Sequence, residues 1–339
     1  MESEAPVEKT VSPAEALQES WASLTADQRH DGFFSLPREE AEELFISVSA
    51  ADQYELIKDL ANAQKRGWIR LLAPDDTADL IQQFPHDERA QMLALLDIAT
   101  MREVVALLAY AEDDAGGLMN PRFIRLRPDV PVDVAIRYIR AQSKAKIETI
   151  HYVYVLDQEQ RLVGAMSFRD LFLAPPEKLV SEVMVVDLVS LPEDMDQEEV
   201  GRKFAQCGLS ALPVVDAEGK MKGIVTVDDV VEVVEEEATE DIHKLGGTEA
   251  LDEPYLQISL FSMIKKRAGW LTFLFIGEML TATAMQFYEH AIERAVVLAL
   301  FIPLIISSGG NSGSQATSLV IRAMALQEVR LKDWWRVLG

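Results

Sequence analysis

YVLDQEQRLVGAMSFRDL (residues 154–171) and PVVDAEGKMKGIVTVDDV (residues 213–230) are two writings of one pattern. Each has an apolar run ending at Asp157 or Asp216, a short polar turn, and a second apolar run that carries a glycine. Two β-rich runs joined by such a turn read as a hairpin. A hydroxyl residue, Ser167 or Thr226, then stands three positions before an aspartate, Asp170 or Asp229, at the start of a helix. Upstream, FIRLRPDVPVDVAIRYIR (123–140) and VVDLVSLPEDMDQEEVGRKFAQCG (185–208) each read as a strand followed by a helix. The chain is therefore expected to hold two copies of a βαββα module, over residues 120–182 and 183–242.

Residues 1–32, rich in Ala, Glu and Ser and carrying Pro6 and Pro13, read as a loose segment that becomes helical near Leu17 to Leu24. Residues 33–119 are a run of short amphipathic helices. LPREEAEELF (36–45), APDDTADLIQQF (73–84) and PHDERAQMLALL (85–96) each begin at or beside a proline and carry acids in the first turn. Apolar residues then recur at three and four spacing, with a repeat period near twenty, which stacks into a small superhelix.

Beyond the modules the hydropathy changes. AGWLTFLFIGEMLTATAMQFY (268–288) follows Lys265, Lys266 and Arg267 and has Glu278 as its one charge; AVVLALFIPLIISSGGNSGSQATSLVIRAMA (295–325) is uncharged until Arg322. Both are long enough to cross a bilayer. The basic outer flanks put both ends on the cytosolic side, so the expected location is the cell membrane, multi-pass and in contact with lipid, with the regulatory part in the cytoplasm. A formal net charge of -24 argues against nucleic acid as a partner and favours metal cations. Cys207 is the one cysteine, so it forms no internal disulfide and reads as a core residue in a reducing compartment. There is no phosphate loop, no nucleophile with a paired base and no thiol cluster, so no enzyme activity is expected.

GAMSFRD (Gly164, Ser167, Asp170) and GIVTVDD (Gly223, Thr226, Asp229) are the marks by which the two modules resemble CBS domains. The resemblance implies binding of ATP or another adenosine nucleotide at the pair. Gly164 would admit the ligand, Ser167 and Asp170 would hold its ribose, Tyr152 would stack on adenine, and Arg169 lies between them. As residues alone, Ser167 and Thr226 read equally well as helix caps. PLIISSGGNSGSQATSLVIRAMA (303–325), EDDAGGLM (112–119), the helical repeat, the CBS pair and an acidic helix running to HKLGG occur in an order that resembles the MgtE family of magnesium channels and transporters. That resemblance implies a multidomain homodimer. Its parts are an all-α superhelical N-terminal domain, an α/β tandem CBS pair, a long acidic connecting helix (243–267) that plugs the pore, and an α-helical transmembrane domain. Two spans of that last domain fall within 268–339, and the acid that selects Mg2+ in the family lies in a later span. The chain thus reads as truncated after its second transmembrane helix.

In the second span, Pro303 removes a backbone donor and is expected to break the helix, with Gly309, Gly310 and Gly313 allowing either unwound backbone or close helix packing. Asn311 and Gln315 would line a polar path or bond between helices, and Glu278 is an intramembrane carboxylate and so a functional candidate. VDDVVEVVEEEATED (227–241) holds eight carboxylates among fifteen residues with no basic side chain. Like charges four apart destabilise a helix unless something neutralises them. Mg2+ keeps several waters and needs only one or two carboxylates. The family resemblance places cytosolic Mg2+-sensing positions at Asp75, Asp79, Glu198, Asp229, Glu232, Glu237, Glu240 and Asp241, and Gly208 stands where relatives often carry an Asp. The implied function is Mg2+ uptake gated by cytosolic Mg2+. The rival readings are a CBS adenosine-nucleotide sensor with a membrane anchor, and an acidic scaffold that docks a basic partner.

Overall fold

The computed structural model describes residues 12–142, 151–245, 260–290 and 301–325, with Val329 and Trp335. The chain divides into two compact units, Met1–Val234 and Glu235–Gly339.

The first unit begins with α1 (Pro13–Ser20), α2 (Ala26–Ser35), α3 (Arg38–Ser47), α4 (Ala50–Ile57), α5 (Asn62–Ile69), α6 (Pro74–Gln83), α7 (His86–Leu93), α8 (Ile98–Leu107) and the short α9 (Ala115–Leu118). The part of residues 1–32 expected to become helical near Leu17 to Leu24 carries helices over Pro13–Ser20 and from Ala26, and they pack onto the domain. Ser12 and Glu15 close a capping box on α1, and Trp21 and Phe33 are buried. Arg29 then ties this end to α4: it bonds Asp52 at 2.6 Å and the Trp21 carbonyl at 2.8 Å, while the Trp21 indole donates to Asp52 at 2.8 Å. The helix pairs α3/α4, α5/α6 and α7/α8 start at residues 38, 62 and 86. This spacing of 24 is longer than the period near twenty expected from the sequence. Pro37 and Pro85 occupy N-cap positions and Pro74 opens α6, where a missing N–H costs nothing.

The two βαββα modules are present. The first runs β1 (Arg125–Leu126), α10 (Val132–Gln142), β2 (Tyr152–Leu156), β3 (Leu162–Ser167) and α11 (Phe168–Leu173). After α12 (Val180–Val183), the second runs β4 (Leu191–Pro192), α13 (Gln197–Cys207), β5 (Ala211–Val215), β6 (Met221–Thr226) and α14 (Val227–Leu245). In each sheet the first strand pairs parallel to the second and the second antiparallel to the third.

The modules exchange edges. Val185, which leads into the second module, pairs both ways with Ala165 of β3 (3.0 and 2.8 Å), and Asn120, which leads into the first, pairs both ways with Ile224 of β6 (2.7 and 2.9 Å). The hairpin turns also meet: Leu162 N donates to Gly219 O and Met221 N to Gln160 O, each at 3.0 Å. In these turns Asp157 and Asp216 each accept two backbone N–H groups. Both turns then pass through positive φ, 78° at Gly219 and 64° at Gln160.

The buried side chains form three clusters. One joins the helical domain to the second module, running from Phe33, Trp68 and Ile81 through Ala115 and Met119 to Leu212, Val225 and Val230. Another is the core of the first module, and a third, built on Phe123, Tyr154 and Ile224, lies between the sheets.

In the second unit, α15 (Leu260–Phe287) is long and apolar enough to cross a membrane. Residues 246–259, within the expected connecting helix, and residues 295–300 of the expected second span lie outside the described residues. We label the helix Ile302–Ala325 α16. It corrects one expectation: Pro303 sits in its first turn, where it breaks no hydrogen bond, and Ser307 through Gly313 are helical. The hydroxyls of Thr272, Thr281, Thr283 and Ser318 donate to carbonyls four residues back, which satisfies them within their own helices.

Gln160 is the one described non-glycine residue at positive φ, in the position that Gly219 fills in the other copy. Gln160→Gly is expected to stabilise the chain by about 1 kcal/mol, measured by urea unfolding.

Candidate cation-binding site

The helical domain is stitched to the second CBS-like module over a short stretch. Ala115 N donates to Met195 O (2.7 Å), Gly116 N to Glu193 O (2.9 Å) and Gln197 N to Asp113 O (2.8 Å). The Tyr110 hydroxyl donates to the Glu193 carboxylate at 2.8 Å. Four residues on, Asn120 joins β6, and it is completely buried. Gly223 is required here: a Cβ on it would lie 2.8 Å from the Asn120 carbonyl oxygen and 2.9 Å from the Met119 side chain.

This junction brings α6 against the start of α14. Asp76 and Asp79, one helical turn apart on α6, are half-buried, as is Asp229 on α14. Burial pushes the Asp79 carboxyl up to about 8, helped by the neighbouring charges of Asp76, Glu112, Glu232 and Asp229. Burial pushes Asp229 up to about 7; hydrogen bonds from Thr226 oppose this, and Asp228 and Asp76 add to it. Asp76 is raised as well, by burial first and then by Glu232 and Asp228, against a backbone hydrogen bond at Ala73. These are two acidic walls on different elements that raise one another's proton affinity. Among the described residues, no three His, Cys, Asp or Glu side chains converge closely enough to chelate an ion. Carboxylates of this kind on two elements are the donor type of a hard cation that keeps much of its water and takes one or two carboxylates.

The first module treats the same motif differently. Ser167 caps α11 by accepting from Asp170 N (3.0 Å), and its hydroxyl donates to the Asp170 carboxylate (2.6 Å). The pair Thr226 and Asp229 makes the matching hydroxyl contact at 2.7 Å. Ser167 thus caps α11, whereas the Thr226 hydroxyl and N–H both donate to the Asp229 carboxylate. Asp170 and Arg169 are exposed, however, and Tyr152 lies opposite Ser167 in the β2/β3 ladder. Gly164 does not open onto a ligand space as expected. A Cβ there would lie 2.4 Å from the Met184 sulfur, so the glycine admits the segment that leads into the second module.

Comparison with known proteins matches the described order of parts. The family profile for the MgtE intracellular N domain covers residues 12–113, that for the CBS domain covers 115–177 and 180–236, and that for divalent cation transporters covers 302–339. Over 320 residues the chain is 39% identical to the magnesium transporter MgtE of Thermus thermophilus, covering 94% of this chain and 71% of the relative. The chain belongs to the MgtE family of magnesium transporters. The Bacillus subtilis MgtE is 31% identical, over 78% of this chain and 58% of its own length. The solved cytosolic domain of the Mg2+ channel MgtE in complex with ATP superposes with a TM-score of 0.60 at 38% identity, covering 66% of this chain and 91% of that one. Matches to inosine-5'-monophosphate dehydrogenases, such as 34% identity to that of Aquifex aeolicus, reach only 35% of this chain, in its CBS part. The family is one of transporters, not enzymes.

Placed on this chain, the expected cation residues separate. Asp79, Asp229 and Glu232 come together. Asp75 is buried and accepts from the Asn120 amide at 3.1 Å. Glu198 pairs with Arg202 at 2.8 Å on its own helix. Glu237 is half-buried on α14, and the side chains of Glu240 and Asp241 lie outside the described residues. Glu278 is on α15, while Gly309, Gly310, Asn311, Gly313 and Gln315 are on α16, with Asn311 and Gln315 one turn apart. Asp76, Asp228 and Glu112 were not singled out from the sequence. The spacing of Asp76 from Asp79 and of Asp228 from Glu232 carries the signal that would have found the first two.

The raised carboxylates have a consequence for stability. Their folded pKa values lie above the unfolded value near 4, so the folded state binds more protons between about pH 4 and 8. Stability without divalent cations is therefore expected to fall as pH rises from about 4 towards 8 and to level off above that. Asp79→Asn should raise stability at pH 8 in EDTA by about 1 kcal/mol and flatten the profile, read by thermal unfolding.

Proposed function

We propose that the chain serves Mg2+ uptake across the cell membrane as a homodimer, with its N-terminal part in the cytoplasm acting as the Mg2+ sensor of the pore. The observation that carries this reading is the pair of carboxylate walls, Asp76 and Asp79 on α6 against Asp229 and Glu232 on α14, in which burial and the neighbouring charges raise the proton affinities of Asp76, Asp79 and Asp229. A bound hydrated Mg2+ supplies the positive charge that this group lacks. Without it, the ionised walls repel and the helical domain is driven away from α14. With the charge compensated, the shared apolar core holds the two together and the closed arrangement wins.

Magnitudes require several ions to act together. Switching a gate from 1:99 to 99:1 takes roughly 5.5 kcal/mol of differential binding. A single site at about ten times its dissociation constant provides about 1.4 kcal/mol. The acids of one chain, doubled in a homodimer, supply enough sites. Limited proteolysis of the full chain in detergent tests this. Millimolar Mg2+ is expected to protect α14 where K+ at matched ionic strength does not, and Asp79→Ala with Asp229→Ala should abolish the protection. Equal protection by K+ would leave the acids as a solvated face.

A second ligand fits the first module. Exposed Asp170 and Arg169, with Tyr152 beside Ser167, suit an adenosine nucleotide such as ATP, the ligand of the solved relative. ATP should then bind the full chain in calorimetry, and Asp170→Ala should weaken it at least tenfold, the cost of a lost charge-assisted contact. An unchanged affinity would remove Asp170 from the site.

A further inference from the structure

We infer that Asn120 is a positioning residue that sets the spacing and orientation of the two acidic walls, and so sets the Mg2+ concentration at which they close. The inference rests on the reading of those walls as a Mg2+ site and names the residue that tunes it.

Asn120 is completely buried and engages on four sides. Its N–H donates to Ile224 O at 2.7 Å and its carbonyl accepts from Ile224 N at 2.9 Å. Its side-chain oxygen accepts from Arg122 N at 2.8 Å, which fixes the amide the other way round. The amide nitrogen, oriented by that bond, donates to Asp75 at 3.1 Å. Each wall is one short step from this residue. On one side Asp75 precedes Asp76 on α6. On the other, β6 runs from Ile224 to Thr226, whose N–H and hydroxyl hold the Asp229 carboxylate at 3.1 and 2.7 Å. Asn120 therefore bonds directly to α6, which carries one wall, and to β6, the strand that leads into α14 and the other wall. Its bonds on the β6 side are backbone to backbone, and its bond on the α6 side is from the side-chain amide to a carboxyl oxygen.

Closure tolerates little play in this linkage, because buried Asn120 packs its carbonyl over Gly223 with no room for a methyl group. Without the amide, Asp75 keeps its burial but loses a donor from this side, and α6 loses its direct tie to β6. Groups that orient metal-binding carboxylates from behind change affinity by about 10- to 100-fold when removed.

The test is the Mg2+ midpoint for hydrogen-exchange protection of peptides from α6 and α14, in the full chain in detergent. Asn120→Ala is expected to raise the midpoint at least tenfold, and Asp75→Ala with Asn120→Ala should be no worse than Asp75→Ala alone, since the amide acts through Asp75. If Asn120→Ala does not fold, Asn120→Ser keeps the strand pairing with a side chain too short for the amide's contact, and the same shift is expected. A role in stability alone would lower the melting temperature in EDTA and leave the midpoint where it is, which would overturn the inference. Additive effects of the two alanines would overturn it too. A wild-type chain without any Mg2+-specific protection would instead overturn the reading of the walls, and the inference with it.

Discussion

The contact between the Asn120 backbone and Gly223 governs the cytosolic architecture. Where a glycine leaves the face of β6 bare, the segment entering the first module lies down on the sheet of the second. That pairing sits at the seam where the core of the helical domain runs on, through Ala115 and Met119, into Val225 and Val230. The helical domain is consequently packed with the second module as one body. The acids of α6 and α14 face one another as a by-product of apolar packing, which is why their mutual repulsion is tolerated at all.

Duplication supplied two copies of one helix start, and burial made them different. Ser167 with Asp170 and Thr226 with Asp229 have the same hydroxyl-to-carboxylate contact, at 2.6 and 2.7 Å. Asp170 is exposed, whereas Asp229 lies under α6, where desolvation outweighs the hydrogen bonds from Thr226. One motif thus suits a solvent-borne polar ligand and the other a cation shared with a second domain. Local geometry is common to both; what covers each copy decides its chemistry.

Opposed forces of this kind suit a switch. The apolar seam favours contact, while carboxyls pushed to about 7 and about 8 oppose it increasingly as pH rises through those values and they ionise. Charge compensation tips such a balance because ionised groups in a partly desolvated space interact more strongly than in water. The same groups placed on an exposed helix face would be screened by salt and would respond little.

Much of this was legible in the residues. The duplicated hairpins at 154–171 and 213–230, the amphipathic helices and the apolar span at 268–288 follow from periodicity and turn chemistry, which are local properties of the chain. Family membership was legible for the same reason, since its motifs are contiguous. The helix through Pro303 departed from expectation because a proline breaks a helix only where an N–H was needed, and its place in the first turn is a matter of where the helix begins. The site was half legible. Spacing put Asp75 with Asp79, yet Asp75 turns to Asn120, and it is Asp76 that joins Asp79 in facing Asp228, Asp229 and Glu232. Nor could composition say that Met184 and Met119 lie over the two signature glycines. Periodicity and turn chemistry, being local, settle which segments form helices and hairpins and that they carry a surplus of acid. Which acids meet and which are solvated is set by long-range packing, because it depends on an edge exchange between residues more than a hundred positions apart, as between Asn120 and Ile224.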